Sequence, residues 1–207
     1  MSPMTPIDFY FDFISPFGYF ASLRIDAIAA AHGRETEWHS MLLGVSVMKV
    51  MGLKPLLDTP LKGEYIRREV ARYARRHCIR LARDPGDPMM DPRACARAFY
   101  WVKAATPGLE KALARALFAA YWLQGRDLST PEAVAEIAAP AGFDPADLMA
   151  GIAGEQARAL LRQGVDASLK RGVFGSPSVV VDGEMFWGAD KLEAVDEWLA
   201  RDRKSVV

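Results

Sequence analysis

Four short stretches carry residues whose types and spacing could do chemistry. The first is FDFISPFGYF (11–20), in which an alternating apolar run passes Asp12, turns at Ser15-Pro16 and enters a helical pattern. A strand that ends at a helix N-terminus brings free backbone N–H groups and the positive end of the helix dipole to the Ser15 hydroxyl. In that field a hydroxyl could hold an anion or lower the pKa of a neighbouring thiol. The competing reading makes Ser15 an N-cap, satisfying one free backbone donor. A hydrolase nucleophile is disfavoured: the G-x-S-x-G elbow is missing, and only His32, His39 and His77 are available as a base.

The second stretch is GVFGSPSVVV (172–181), where Ser176-Pro177 directly precedes a β-branched run. Proline cannot donate to a sheet ladder, so it makes a bend at the start of that strand, with its peptide bond either cis or trans. The third is FWGADKL (186–192), containing Trp187, Gly188, Ala189 and Asp190. Gly188 permits a close backbone approach, and Ala189-Asp190 open the last helix. Asp190 could simply complement the helix dipole, or it could catch an ammonium group there. The fourth is VSVMKVMGLKP (45–55), which sets Lys49 among apolar neighbours. Lys49 is either a solvated lysine or a cation directed into a substrate pocket.

These stretches must be positioned by a fold, and the order of elements is legible. Residues 7–13 and 35–41 read as strands flanking a helix that starts at Pro16, runs through ASLRIDAIAAAHG and stops at Gly33. Leu23, Ile25, Ala27 and Ile28 are its inward candidates. From about 61 to 172 the patterns are helical: 64–83, a helix from Pro92 through ARAFYWVKAA, 109–124, starts at Thr130-Pro131 and Asp144-Pro145, and 155–171. Strands return at Ser178–Val181 and Glu184–Trp187, joined by the hairpin signal Asp182-Gly183. A helix over 190–200 closes the chain, with Leu192, Val195, Trp198 and Leu199 at helical spacing. The expected architecture is α/β, one small sheet with an all-helical subdomain inserted in its middle.

Composition narrows the function. The chain has 207 residues and a formal net charge of zero, so nothing global points to nucleic acid or an anionic membrane. No apolar run spans a bilayer, and MSPMTPIDFYFDF lacks the pattern of a secretory signal, so a cytosolic protein is expected. The basic stripe Arg68, Arg72, Arg76 and Arg80 could bind phosphates, but no aromatic platform accompanies it, and a solvated face is preferred. No metal site is expected, since the histidines are scattered and Cys78 and Cys95 fit no ligand spacing. Phe99-Tyr100-Trp101 reads as core and interface packing, and Met89-Met90 as gap-filling or pocket-lining residues.

Taken together, Ser-Pro after the first strand, G-S-P before the third and W-G-x-D before the last helix resemble the 2-hydroxychromene-2-carboxylate isomerases. These are grouped with kappa-class glutathione transferases and DsbA-type oxidoreductases. The resemblance implies a single DsbA-like domain over 1–207, with a thioredoxin-like part at about 5–42 and 173–202 and a helical insertion at about 60–172. The oxidoreductases carry C-x-x-C at the strand–helix junction. Here that stretch is Ser15-Pro16-Phe17-Gly18, so dithiol exchange is excluded and the thiol must come from outside.

The resemblance supplies glutathione as that thiol and Ser15 as the group that favours its thiolate. Ser176 would pair with the cysteinyl backbone, beside a cis Pro177, and Trp187, Gly188, Ala189 and Asp190 would receive the γ-glutamyl group. Lys49 would contact a small aromatic carboxylate substrate. Two departures stand out. Leu53 replaces an asparagine in K-V-M-G-L, and Asp91 replaces the asparagine of N-P, with Arg97 as its expected partner. The implied reaction is reversible thiolate addition, ring opening, bond rotation and loss of the thiolate, in a homodimer. The alternatives are a kappa-like transferase and a non-catalytic thioredoxin-fold binding protein.

Overall fold

Strand β1 (Ile7–Phe11) is the middle of the fold, and its aromatic alternation explains why. Ile7, Phe9 and Phe11 point to one face and lose all exposure, while Tyr10 packs on the other face with Met41, Val173 and Val180. Burial on both faces suits a central strand, and pairing on both edges makes β1 one. In the computed structural model, which describes residues 5–202, the sheet order is β2-β1-β3-β4. Strand β2 (Thr36–Ser40) pairs parallel with β1, and β3 (Ser178–Val181) pairs antiparallel with it. Strand β4 (Glu184–Trp187) pairs antiparallel with β3. The hairpin signal is borne out: Asp182 and Gly183 both take positive φ, 51° and 95°, as a tight primed turn requires.

The helix after Ser15 is not continuous. It divides into α1 (Pro16–Ser22) and α2 (Ile25–Ala31). The Ser22 hydroxyl donates to the Tyr19 carbonyl (2.6 Å), and Arg24 takes a non-helical conformation at the break. The change of direction alters which residues face inward. Ile25 and Ala29 are buried, whereas Leu23 and Ala27, expected inside, are exposed.

Between β2 and β3 the described chain is helical, as expected. A π-helical segment (Gly44–Val50) follows β2, and then come α3 (Lys62–Arg76), α4 (Arg93–Ala105), α5 (Glu110–Gln124), α6 (Pro131–Ala138), α7 (Pro145–Ala153) and α8 (Glu155–Lys170). Helix α3 stops seven residues before the expected end at 83. Cys78 adopts a left-handed conformation, and Ile79 N–H donates back to the Ala74 carbonyl (2.8 Å), so Arg80 leaves the basic stripe. The expected starts of α6 and α7 hold, with Thr130 and Asp144 accepting from the N–H groups of Ala133 and Asp147. The last helix, α9 (Leu192–Asp202), is preceded by a 3-10 turn (Ala189–Lys191) that contains Asp190.

The inserted helices and the sheet share one core. Phe11 meets Phe99 of α4 and Phe118 of α5 at 5.4 Å, and the Trp122 indole N–H donates to the Phe13 carbonyl (3.1 Å). Phe99 and Tyr100 are buried as expected, while Met90 is buried and its neighbour Met89 exposed. Lysines on α4 and α5 also close the edge of the sheet. Lys103 donates to the Trp38 carbonyl (2.7 Å) and Lys111 to the Thr36 carbonyl (2.6 Å), covering acceptors that β2 would otherwise leave free. No described helix is long and apolar enough to cross a membrane.

Candidate active site

Ser15 stands where β1 turns into α1. Its backbone is extended (φ −91°, ψ 115°), Pro16 occupies the first helical position, and its hydroxyl oxygen accepts from Gly18 N–H (3.0 Å). Ser15 is therefore an N-cap, as one reading required. It has a second role. The same hydroxyl donates its proton to the Ser176 carbonyl (2.9 Å), 161 residues away, so the cap is also a tertiary bond between the two Ser-Pro motifs. The Ser176–Pro177 peptide is cis.

Asp12 is the residue that sequence reasoning passed over. Its N–H donates to the Ser176 hydroxyl (2.9 Å), and its carbonyl accepts from Ser15 N–H (3.0 Å). Its side chain has no exposed surface, and its carboxyl accepts from Leu43 N–H (2.7 Å) and Ile14 N–H (3.3 Å). Burial dominates those bonds and pushes its pKa up to about 7. The signal was present in the sequence: one acid inside FYFDF, a run otherwise aromatic. Gly18 was also passed over. A Cβ there would lie 2.7 Å from the Ser176 hydroxyl and 3.2 Å from the Asp12 carbonyl, so glycine lets this turn and the Ser176 loop meet so closely.

The W-G-A-D stretch joins the same cluster. Gly188 N–H donates to the Pro177 carbonyl (3.0 Å), with Gly188 at φ 119°. Ala189 is buried. The half-exposed Trp187 indole covers the Cα of Gly175, where a Cβ would overlap its Nε1, and stands edge-on to Phe174 at 4.9 Å. Asp190 is exposed, its carboxylate lying over the Cα of Gly188, and among the described residues its ion-pair partner is the exposed Lys191 (3.1 Å). Ser15, Ser176, Pro177 and residues 187–190 are thus brought together by three separate segments.

The expected substrate residues fall elsewhere. Lys49 lies on the exposed side of the π-helical segment, and Leu53, 56% exposed, follows it with Met48, Val50 and Met51 also open to solvent. No hydrogen bond or ion pair among the described residues joins Lys49 or Leu53 to the Ser15 cluster. The link is indirect, through the Asp12 carboxylate that holds Leu43 at the head of that segment.

Asp91 is paired, but not with Arg97. Arg93, two residues on, donates to it through its backbone N–H (3.0 Å) and Nε (2.8 Å), holding the carboxyl below the usual range. Residues two apart at a helix entrance meet easily. Arg97 is one turn further along α4, and its guanidinium pKa is lowered by desolvation and by Arg158 and Arg93. Of the two thiols, Cys78 is exposed, and Cys95 is buried, with burial and then the charge of Asp12 raising its pKa. No group of three or more His, Cys, Asp or Glu among the described residues could hold a metal.

The model of the DsbA-like thioredoxin domain matches residues 6–200 of the chain. The chain is 25% identical over 201 residues to a 2-hydroxychromene-2-carboxylate isomerase from Pseudomonas putida, covering 94% of each protein. It is 24% identical over 198 residues to glutathione S-transferase kappa 1 from Rattus norvegicus, covering 90% of this chain and 87% of that protein. Among solved structures, a selenomethionine 2-hydroxychromene-2-carboxylate isomerase superposes with a TM-score of 0.81 at 24% identity, over 98% of this chain and all of that one. That likeness carries the fold.

Proposed function

This chain belongs to the DsbA-like thioredoxin family, and on that premise we propose that it is a glutathione-dependent isomerase of 2-hydroxychromene-2-carboxylate or a related aromatic carboxylate. The observation that carries the proposal is the bond between the Ser15 hydroxyl and the Ser176 carbonyl, at a junction that holds no cysteine. The residues present fit glutathione. The Ser176 carbonyl is an acceptor for a peptide N–H, Asp190 is an exposed anion for an ammonium group, and Ser15 sits at a helix N-terminus suited to a thiolate. Glutathione would supply a thiolate that adds reversibly to an activated double bond and is recovered unchanged.

What the protein does follows from one proton. Ser15 has a single O–H, engaged by the Ser176 carbonyl, while its oxygen accepts from Gly18. That carbonyl has two lone pairs, so a peptide N–H can pair with it while the Ser15 proton turns to bond a sulfur. Asp12, buried behind the Ser15 turn with its pKa raised to about 7, carries less negative charge at neutral pH than an ordinary carboxylate would. Lys49, exposed and without a partner among the described residues, is the cation proposed to meet the substrate carboxylate. A cytosolic homodimer belongs to the same proposal, and sedimentation of the purified protein checks the oligomer.

Calorimetric titration of reduced glutathione tests the cofactor. Saturable binding that Asp190→Ala weakens supports it, and absence of binding at millimolar glutathione rejects it. Turnover of the chromene carboxylate with no fall in free thiol distinguishes an isomerase. Stoichiometric consumption of thiol would establish a kappa-like transferase instead. Leu53, which offers no hydrogen bond where the resemblance expects an asparagine, favours a third reading, a non-catalytic thioredoxin-fold binding protein, which glutathione binding without turnover of either kind would establish.

A further inference from the structure

A cleft of about 260 Å³ opens between α3 and the turn that begins α9, with Arg72, Tyr73, Arg76, His77, Asp190 and Glu193 in its walls. Its charges are unequally engaged. Glu193 is bound to Arg24 (3.0 Å), and Arg72 to Glu69 one turn back on α3. Arg76 has no hydrogen bond or ion pair among the described residues, and its charge helps to lower the pKa of Glu193. Across the cleft, Asp190 is paired among the described residues with an exposed lysine, an ion pair of little worth in water. One available cation therefore faces one available anion.

The floor between them is aromatic and rigid. Tyr73 stacks on His77 (4.3 Å) on one side and on Phe20 of α1 (4.6 Å) on the other, while its hydroxyl accepts from Arg24. Phe20 belongs to the helix that Ser15 caps, and Gly188, next to the Asp190 turn, is tied to Pro177. The cleft is thus held in fixed relation to the Ser15 cluster.

We propose that this cleft receives the free α-amino acid end of a peptide thiol, with its carboxylate at Arg76 and its ammonium at Asp190. The inference rests on the glutathione reading and assigns the γ-glutamyl group a second anchor, on α3. It also separates Arg76 from the rest of the basic stripe, where Arg68 and Arg72 are bound to Glu64 and Glu69 on the same helix. A guanidinium suits this task because its fork matches the planar carboxylate.

The test compares three thiols on the full chain and on Arg76→Gln: reduced glutathione, γ-glutamylcysteine and cysteinylglycine, each titrated calorimetrically. Loss of a charge-assisted bond is expected to weaken glutathione and γ-glutamylcysteine by about tenfold. Cysteinylglycine, which lacks the γ-glutamyl end, is expected to bind both proteins equally. Unchanged glutathione affinity in Arg76→Gln overturns the proposal. So does an equal loss for cysteinylglycine, which would place the glycine carboxylate at Arg76. A native protein that binds none of the three removes the glutathione reading itself, and this anchor with it.

Discussion

Replacing Asp12 with asparagine should change how stability depends on pH, and the structure sets the size of the change. The carboxyl has no exposed surface, and burial carries its pKa from 3.8 to about 7 against the N–H bonds from Leu43 and Ile14. In the unfolded chain it titrates near its ordinary value. Between the two values the folded protein keeps a proton that the unfolded chain has lost, so stability falls as pH rises through this window. The fall is complete above the folded value. At 1.36 kcal/mol per tenfold, the gap corresponds to about 4 kcal/mol. Asparagine has no proton to lose and escapes this penalty. It keeps one acceptor and turns its amide towards the other N–H, a fixed cost of about 1–3 kcal/mol at every pH. Urea unfolding of both proteins between pH 4 and pH 8, with m-values compared, reads the difference. The variant should be the less stable protein in acid and gain about 4 kcal/mol on the native protein by pH 8. A difference that stays flat across the range refutes the argument, because Asp12 would then ionise in the fold as it does in water.

Gly18→Ala should cost about 1–3 kcal/mol and sharply reduce any turnover, because its Cβ would push on the Ser176 hydroxyl at 2.7 Å; thermal melts and glutathione titration check both parts. Lys49→Ala should leave stability within about 0.5 kcal/mol, since the side chain is exposed and unpaired among the described residues, and raise KM for the carboxylate substrate with kcat little changed. A thiol reagent should label Cys78 in the folded protein and reach Cys95 only on unfolding, because burial keeps Cys95 as a thiol; mass spectrometry of the labelled peptides decides it. Lys103→Met should uncover the Trp38 carbonyl on the outer edge of β2 and cost about 1–3 kcal/mol in urea unfolding.

Local chemistry by itself determined much of this protein. The turn at Asp182-Gly183, the caps at Thr130 and Asp144, the Pro16 helix start and the Ser15 cap all depend on bonds within a few residues, and all were legible as residue types in order. The order of elements along the chain, with a helical block between two pairs of strands, followed from periodicity in the same way. What tertiary structure decided lies at longer range. The break at Leu23-Arg24 and the stop at Cys78 are absent from the helical pattern, because propensity does not say where a helix must turn to meet its neighbours. Asp91 chose Arg93 over Arg97 through the geometry of a helix entrance. Asp12 shows the limit most clearly. Its identity and aromatic neighbours are in the sequence, but its shifted proton arises only from burial in the folded chain, where segments 31 and 164 residues away pack against it.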